Sequence, residues 1–227
     1  MTNLILLIVE ALLVFTTVVI VGKLFGKEGL IGWVAIATIL ANVLTAKAIE
    51  VCGISITLGN ALFASNFLAT DILSEKFSKK DAKKAVCMGL LGSLSLIAFT
   101  QIGLRYIPGE FDYVHDAMST LFAFSLRISI ASIVMYFVSN IIDVYLYNKM
   151  KDKMNGKKMW VRNNVATILC NCLENFLFTF GAFLFIYDMK TLMIIALSTS
   201  VVELLLAIGD TPFLYWATHI IKGEQNS

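Results

Sequence analysis

Charge is what this chain has least of. Asp, Glu, Lys and Arg make up 15% of its 227 residues and apolar residues 58%, whereas a soluble domain carries about 25% charged residues. With two prolines and fourteen glycines there is no material for a long disordered linker. The two histidines and four cysteines (Cys52, Cys87, Cys170, Cys172) show no metal-ligand spacing, and the thiols lie in or beside apolar runs, as buried free cysteines do. A P-loop, an HExxH helix and a GxSxG elbow are all missing, so neither catalysis nor a cofactor is expected. The polar loops are too short to hold an ATPase, kinase or receptor domain. What remains is a single integral membrane domain.

Seven apolar runs can be counted, at 3–22, 29–51, 54–73, 85–105, 117–147, 164–187 and 191–220, each near the length of about 20 residues that a spanning helix needs. Charges cluster between the runs rather than alternating within them, which excludes a barrel. The fold expected is an all-α integral membrane protein with seven transmembrane helices, residues 1–227 forming one domain. The first run lacks a basic leader and a cleavage site and is read as a retained helix. The fifth is long enough that it must tilt, or project from the membrane at Tyr145–Met150.

Lysines and arginines collect in alternate loops: at 23–27, 76–84, 149–162 and 222, against only Arg105 and Lys190 opposite. The positive-inside rule then puts the N-terminus outside and the C-terminus in the cytoplasm. Trp33, Trp160 and Trp216 fall near the cytoplasmic ends, where interfacial indoles are expected. The basic clusters are read as topology signals, not as nucleic-acid sites.

Polar residues within the apolar runs carry the functional question. An ionisable group at the bilayer centre costs about 2.5–3.5 kcal/mol, and the run Cys170-Asn-Cys-Leu-Glu174-Asn175 holds one. Asn171 and Glu174, three apart, share a helix face. Asn140 and Asp143 repeat that spacing one run earlier, as chance or an internal transporter repeat would produce. Asn60 and Asn66 lie deep in the third run and need a partner across helices or a ligand. Lys47 and Glu50 are one turn apart and are expected to pair on the second helix. Arg127 cannot lose its charge and must find a carboxylate. Glu203 lies mid-run in the seventh segment, and Pro212 is expected to kink or break the helix beside Asp210. The interior thus has more acids than bases, to be balanced by protons or by a cationic ligand. An amide beside a carboxylate suits a guanine-like edge, with Tyr136 or Phe178 as a stacking face. The same groups suit a vitamin, an amine or protons.

The run Thr57-Leu-Gly-Asn60, FLATDILSEKF (Phe67–Phe77), SNIIDV (Ser139–Val144), WVRNNVAT (Trp160–Thr167) with CNCLEN, and DTPFLYW (Asp210–Trp216) together resemble the queuosine precursor transporter family, also called the vitamin uptake transporter family. The resemblance spans about residues 29–220 in order. It implies a six-helix core at 29–221 with an added N-terminal helix at 1–24, in a carrier importing 7-deazaguanine bases (the cyano or aminomethyl precursor, or queuine) for tRNA modification. It also implies kinship with the substrate-binding subunits of energy-coupling-factor importers. By position, Asp71, Glu75, Arg127, Asp143 and Asn163 match the family pattern. Asn140 and Asn171 stand where glutamine is usual, Glu174 where aspartate is usual, and Glu203 where some members have lysine.

The candidate substrate-binding residues are therefore Asn60, Asn66, Arg127, Tyr136, Asn140, Asp143, Asn171, Glu174, Asn175 and Glu203. Expected partners are a purine-like small molecule and the lipid bilayer in the cell membrane, with a homodimer as an option and no direct nucleic-acid binding. Three readings stay open: an autonomous carrier, a binding subunit that recruits an ATP-driven coupler, and a structural membrane protein whose polar residues only lock helices together.

Overall fold

A computed structural model describes residues 2–122, 126–185 and 188–223, and within them all side chains except those of residues 54, 55, 126–131, 182 and 183. The described residues form seven helices and one hairpin: α1 (Thr2–Leu44), β1 (Ala48–Val51), β2 (Ile54–Thr57), α2 (Asn60–Lys76), α3 (Lys79–Gly103), α4 (His115–Phe122), α5 (Leu126–Lys153), α6 (Met159–Phe183) and α7 (Met189–Ile220). Three of them, α1, α3 and α7, are long and apolar enough to cross a membrane.

α1 joins the first two apolar runs. Gly26, at φ 60° and ψ −143°, breaks it into two arms, a backbone conformation open essentially to glycine alone. The arms lie together, since Phe15, Val18 and Val19 of the first and Leu30, Ile31 and Val34 of the second join one buried core. That core also takes Leu68, Ile72 and Leu73 of α2, Ala82, Ala85 and Val86 of α3, and Leu206, Leu214 and Ala217 of α7.

The second helix does not reach residue 51. It ends at Leu44, and Ala48–Thr57 folds back as an antiparallel hairpin with Ile49 opposite Ile56. Cys52 and Gly53, both at positive φ (53° and 79°), form its two-residue turn, the conformation such hairpins favour. Alternating β-branched residues in this stretch were the sequence signal for strand. Lys47 and Glu50 accordingly do not share a helix face, because Glu50 lies in β1. The third apolar run becomes hairpin plus helix, and the hairpin is a small addition to an all-helical bundle.

Other expectations also change. The fifth run holds α4 and α5, and the stretch between them, residues 123–125, lies outside the described residues. Tyr145–Met150 does not project freely: Tyr147 is fully buried, and Asn148 donates to Ser74 Oγ at 3.0 Å. α7 runs unbroken through Pro212. Trp33 is turned inward, its indole N–H donating to Ser65 at 3.0 Å, while Trp160 and Trp216 are exposed as interfacial residues would be. All four cysteines are free, but Cys52 and Cys87 are exposed rather than buried.

The basic clusters meet at one end of the bundle. Lys76 donates to the Thr218 carbonyl at 2.9 Å, Lys79 and Lys149 lie over the Tyr145 ring, and Lys84 faces Glu28 at 3.8 Å. Away from that end, leucines and isoleucines such as Leu13, Leu91, Leu169, Leu173, Leu197 and Leu205 point outward. An outer apolar belt around a polar interior is what a lipid-embedded bundle requires.

Nothing lies within 4 Å of a Cβ built at Gly26, so Gly26→Ala tests backbone conformation alone. The substitution is expected to lower stability by about 1–3 kcal/mol, read as a reduced thermal midpoint of the detergent-purified protein.

Candidate functional site

Helix α6 positions the site because its two faces differ. Leu169, Leu173 and Leu177 are exposed at four-residue spacing, while Asn163, Thr167, Asn171 and Asn175 are buried on the opposite side. Helices α5 and α7 present their own polar residues to that inner face. The cross-bonds run in reverse sequence order, Ser139 to Glu174 and Asp143 to Thr167, so α5 and α6 are antiparallel neighbours.

The polar interior has two tiers. In the upper one, the Ser139 hydroxyl donates to Glu174 Oε2. Asn175 Nδ2 donates to Glu203 Oε2 at 2.6 Å and contacts Ser200 Oγ at 3.3 Å. Glu174 and Glu203 are partly buried and lie within electrostatic reach of each other. Tyr136, itself within reach of Glu174, places its hydroxyl 3.2 Å from Thr38 Oγ1. Asn66 donates to that same oxygen at 3.1 Å. Asn140 Nδ2 donates to the Tyr136 carbonyl at 2.9 Å, leaving its Oδ1 buried without a partner. Asn171 is buried one turn before Glu174. Gly89 lets α3 approach this group, since a Cβ there would collide with the Tyr136 hydroxyl.

The lower tier is fully enclosed. Asp71, Asp143, Asp210, Arg162 and Asn163 are each 0% exposed. Thr167 Oγ1 lies 3.3 Å from Asp143 Oδ1, and Asn163 Nδ2 donates to Asp210 Oδ1 at 2.7 Å. Beside them Arg162 Nη2 meets Glu75 Oε2 at 2.7 Å. The same oxygen is 3.2 Å from the Tyr147 hydroxyl and 3.4 Å from Lys151 Nζ. Three helices, α2, α5 and α6, are tied by this one carboxylate and its neighbours, and Lys151 also donates to the Ser74 carbonyl at 2.7 Å.

Eight of the ten candidate residues thus fall in the interior, seven of them around the upper tier. Asp143 belongs to the lower tier. Asn60 stays apart, at the start of α2, where its Oδ1 accepts from Thr57 at 2.8 Å. The Arg127 side chain lies outside the described residues. Sequence reasoning missed Arg162, which sits among loop lysines in the chain and was read as a topology charge. The interior therefore holds a guanidinium that the expected acid–base balance had left out. Asp71, Glu75 and Asn163 were marked only by family resemblance. The signal for Arg162 was its place one residue before a polar helix face. Among the described residues no group of His, Cys, Asp and Glu is arranged to hold a metal ion.

Comparison with known proteins gives the chain a family. The family described as "Putative vitamin uptake transporter" matches residues 57–217. The chain belongs to this family. It is 32% identical over 218 residues to a Bacillus subtilis (strain 168) protein named "Probable queuosine precursor transporter", a match covering 96% of this chain and 95% of the relative. It is 25% identical over 143 residues to the Escherichia coli (strain K12) "Queuosine precursor transporter", covering 63% and 62%. No solved structure matches. As a member of the vitamin uptake transporter family, the chain is a multi-pass protein of the cell membrane and a transporter rather than an enzyme.

Removing one partner from a buried ion pair costs about 3–5 kcal/mol, because the survivor is left uncompensated. Arg162→Met is expected to lower the thermal midpoint of the purified protein strongly. The double variant Arg162→Met/Glu75→Leu should recover part of that loss. Equal losses in single and double variants would deny the pair its role.

Proposed function

We propose that this chain imports queuosine precursors, 7-deazaguanine bases bearing a cyano or aminomethyl group or the larger queuine, and that it does so as an autonomous carrier. One observation carries the reading: Glu174 and Glu203, from adjacent helices, converge at a partly buried point lined by amides, hydroxyls and a tyrosine. A carboxylate accepts from a ring N–H and an exocyclic amine together, the pair of donors on a guanine-like edge. Glu174 takes that role and Asn171 donates to the neighbouring carbonyl. Asn140, Asn66 and Asn175 complete the polar lining, and Tyr136 supplies an aromatic wall. Glu203 faces the cationic or polar substituent. The names of both relatives point to the same substrate class.

Seven crossings fit the described elements: two arms of α1, then α2, α3, α5, α6 and α7, with α4 too short to span. α2, at 17 residues, reaches about 26 Å, close to a hydrocarbon core about 30 Å thick. The basic end of the bundle is cytoplasmic, which puts the N-terminus and the hairpin outside.

Two measurements test these assignments. Glu174→Ala should abolish uptake of the labelled cyano precursor base into proteoliposomes while the protein remains folded and membrane-inserted. Undiminished uptake would reject the site. Flux through the purified chain without ATP supports the carrier, whereas binding without flux would make it the binding subunit of an ATP-driven importer. For topology, Cys52 is exposed at the hairpin tip and should react with a membrane-impermeant maleimide added outside intact cells. Protection there, with labelling only after permeabilisation, would invert the orientation.

A further inference from the structure

The lower tier has no part in the substrate reading above, and its chemistry is distinct. Asp71 of α2, Asp143 of α5 and Asp210 of α7 are all 0% exposed, and Asp71 lies within electrostatic reach of the other two. Both oxygens of Asp71 lack any hydrogen-bond partner, as do Oδ2 of Asp143 and Oδ2 of Asp210. An independent group repeats the signal: Asn163, also 0% exposed, binds Asp210 through Nδ2 while its Oδ1 is unpartnered. Buried polar atoms are almost always satisfied, so a patch of orphaned oxygens from four helices marks a site that something positively charged or hydrogen-bonding fills.

The charges around Asp71 narrow the occupant. α2 contributes Glu75, α5 contributes Asp143 and Tyr147, α6 contributes Arg162 and Cys170, and α7 contributes Asp210. No charged side chain of α1 or α3, the other helices packed on α2, is among those acting on it. Arg162 is already engaged by Glu75 at 2.7 Å, and Lys151 by the same carboxylate at 3.4 Å. Arg127 sits sixteen residues before Asp143 on the continuous helix α5, about 24 Å away along the axis. None of the three aspartates therefore forms an ion pair among the described residues. They are not among any group of His, Cys, Asp and Glu that could hold a metal ion in the described residues. A proton needs only one oxygen, and its uptake by a carboxylate yields a neutral acid that can donate to its neighbour.

We propose that Asp71, Asp143 and Asp210, with Asn163, form a proton-binding site separate from the Glu174–Glu203 substrate site, through which a proton gradient drives accumulation. The proton arrives from the outer aqueous phase, converts one carboxylate to its acid, and leaves to the cytoplasm when the site opens beside the Glu75–Arg162 pair. No bond other than O–H is made or broken. This inference rests on the carrier reading for its transport consequence, but the site itself can be tested without it.

The experiment uses the full chain and its Asp71→Asn variant. Infrared difference spectra of reconstituted protein, taken between acidic and alkaline buffer, read protonated carboxyl groups directly. A titrating carboxyl band in the wild type that is diminished in Asp71→Asn supports the site. An undiminished band in Asp71→Asn, Asp143→Asn and Asp210→Asn alike overturns it. In proteoliposomes, Asp71→Asn should keep exchange of the labelled cyano precursor base across equal concentrations, yet lose accumulation above the outside concentration under an imposed pH gradient. Accumulation equal to wild type would also overturn the proposal, as would a wild type driven by a sodium gradient and indifferent to pH. A general packing defect would lower exchange and accumulation together, and that result counts against a proton role. If Asp71→Asn does not assemble, Asp210→Asn carries the same comparison. If the wild type exchanges no precursor base, the substrate reading fails, while the infrared titration still decides the proton site.

Discussion

A guanidinium that cannot lose its proton is enclosed at the heart of this bundle, and the arrangement around it follows from that constraint. Arg162 is 0% exposed and meets Glu75 at 2.7 Å. In a low-dielectric interior an unpaired charge of this kind is prohibitive, so α6 must keep its inner face against α2. Tyr147 lies beneath the guanidinium at 5.3 Å, which brings α5 to the same point. Once those three helices are held at one end, the polar face of α6 can only look inward. Its leucine stripe can only look toward lipid.

The two tiers differ in how they meet their electrostatic demands. Glu174 and Glu203 retain partial exposure and are each held by a neutral donor, Ser139 or Asn175. Such groups can exchange protein partners for those of a ligand at little loss. The aspartates below are sealed and under-bonded, which sets them apart from the glutamates above. On the proposed reading, the reachable acidic pair and the sealed acidic cluster keep substrate and driving ion apart within a small bundle.

Much of the fold was legible because hydropathy reports directly on what lipid will accept. The outward leucines, the clustering of basic residues at one end and the inward amide face of α6 all follow from side-chain type and helical period. The hairpin was misread because its apolar, β-branched residues satisfy a length criterion for a spanning helix, while the Cys52–Gly53 turn that decides the matter is a local backbone feature. The unbroken course of α7 through Pro212 and the inward turn of Trp33 likewise depend on neighbours in space.

By itself, then, the sequence determined a membrane-embedded helical domain, a transporter family, and a set of polar residues too costly to be incidental. Only the tertiary structure decided how those residues are grouped. It set Asn60 apart at the hairpin junction, joined Asn66 to Tyr136 through Thr38, and moved Asp143 from the glutamates to the company of Asp71 and Asp210. It also drew Arg162 out of a lysine-rich loop into the interior. The reason is physical: periodicity says which face of a helix is polar, but which charges neutralise one another depends on distances of a few ångströms between helices remote in the chain.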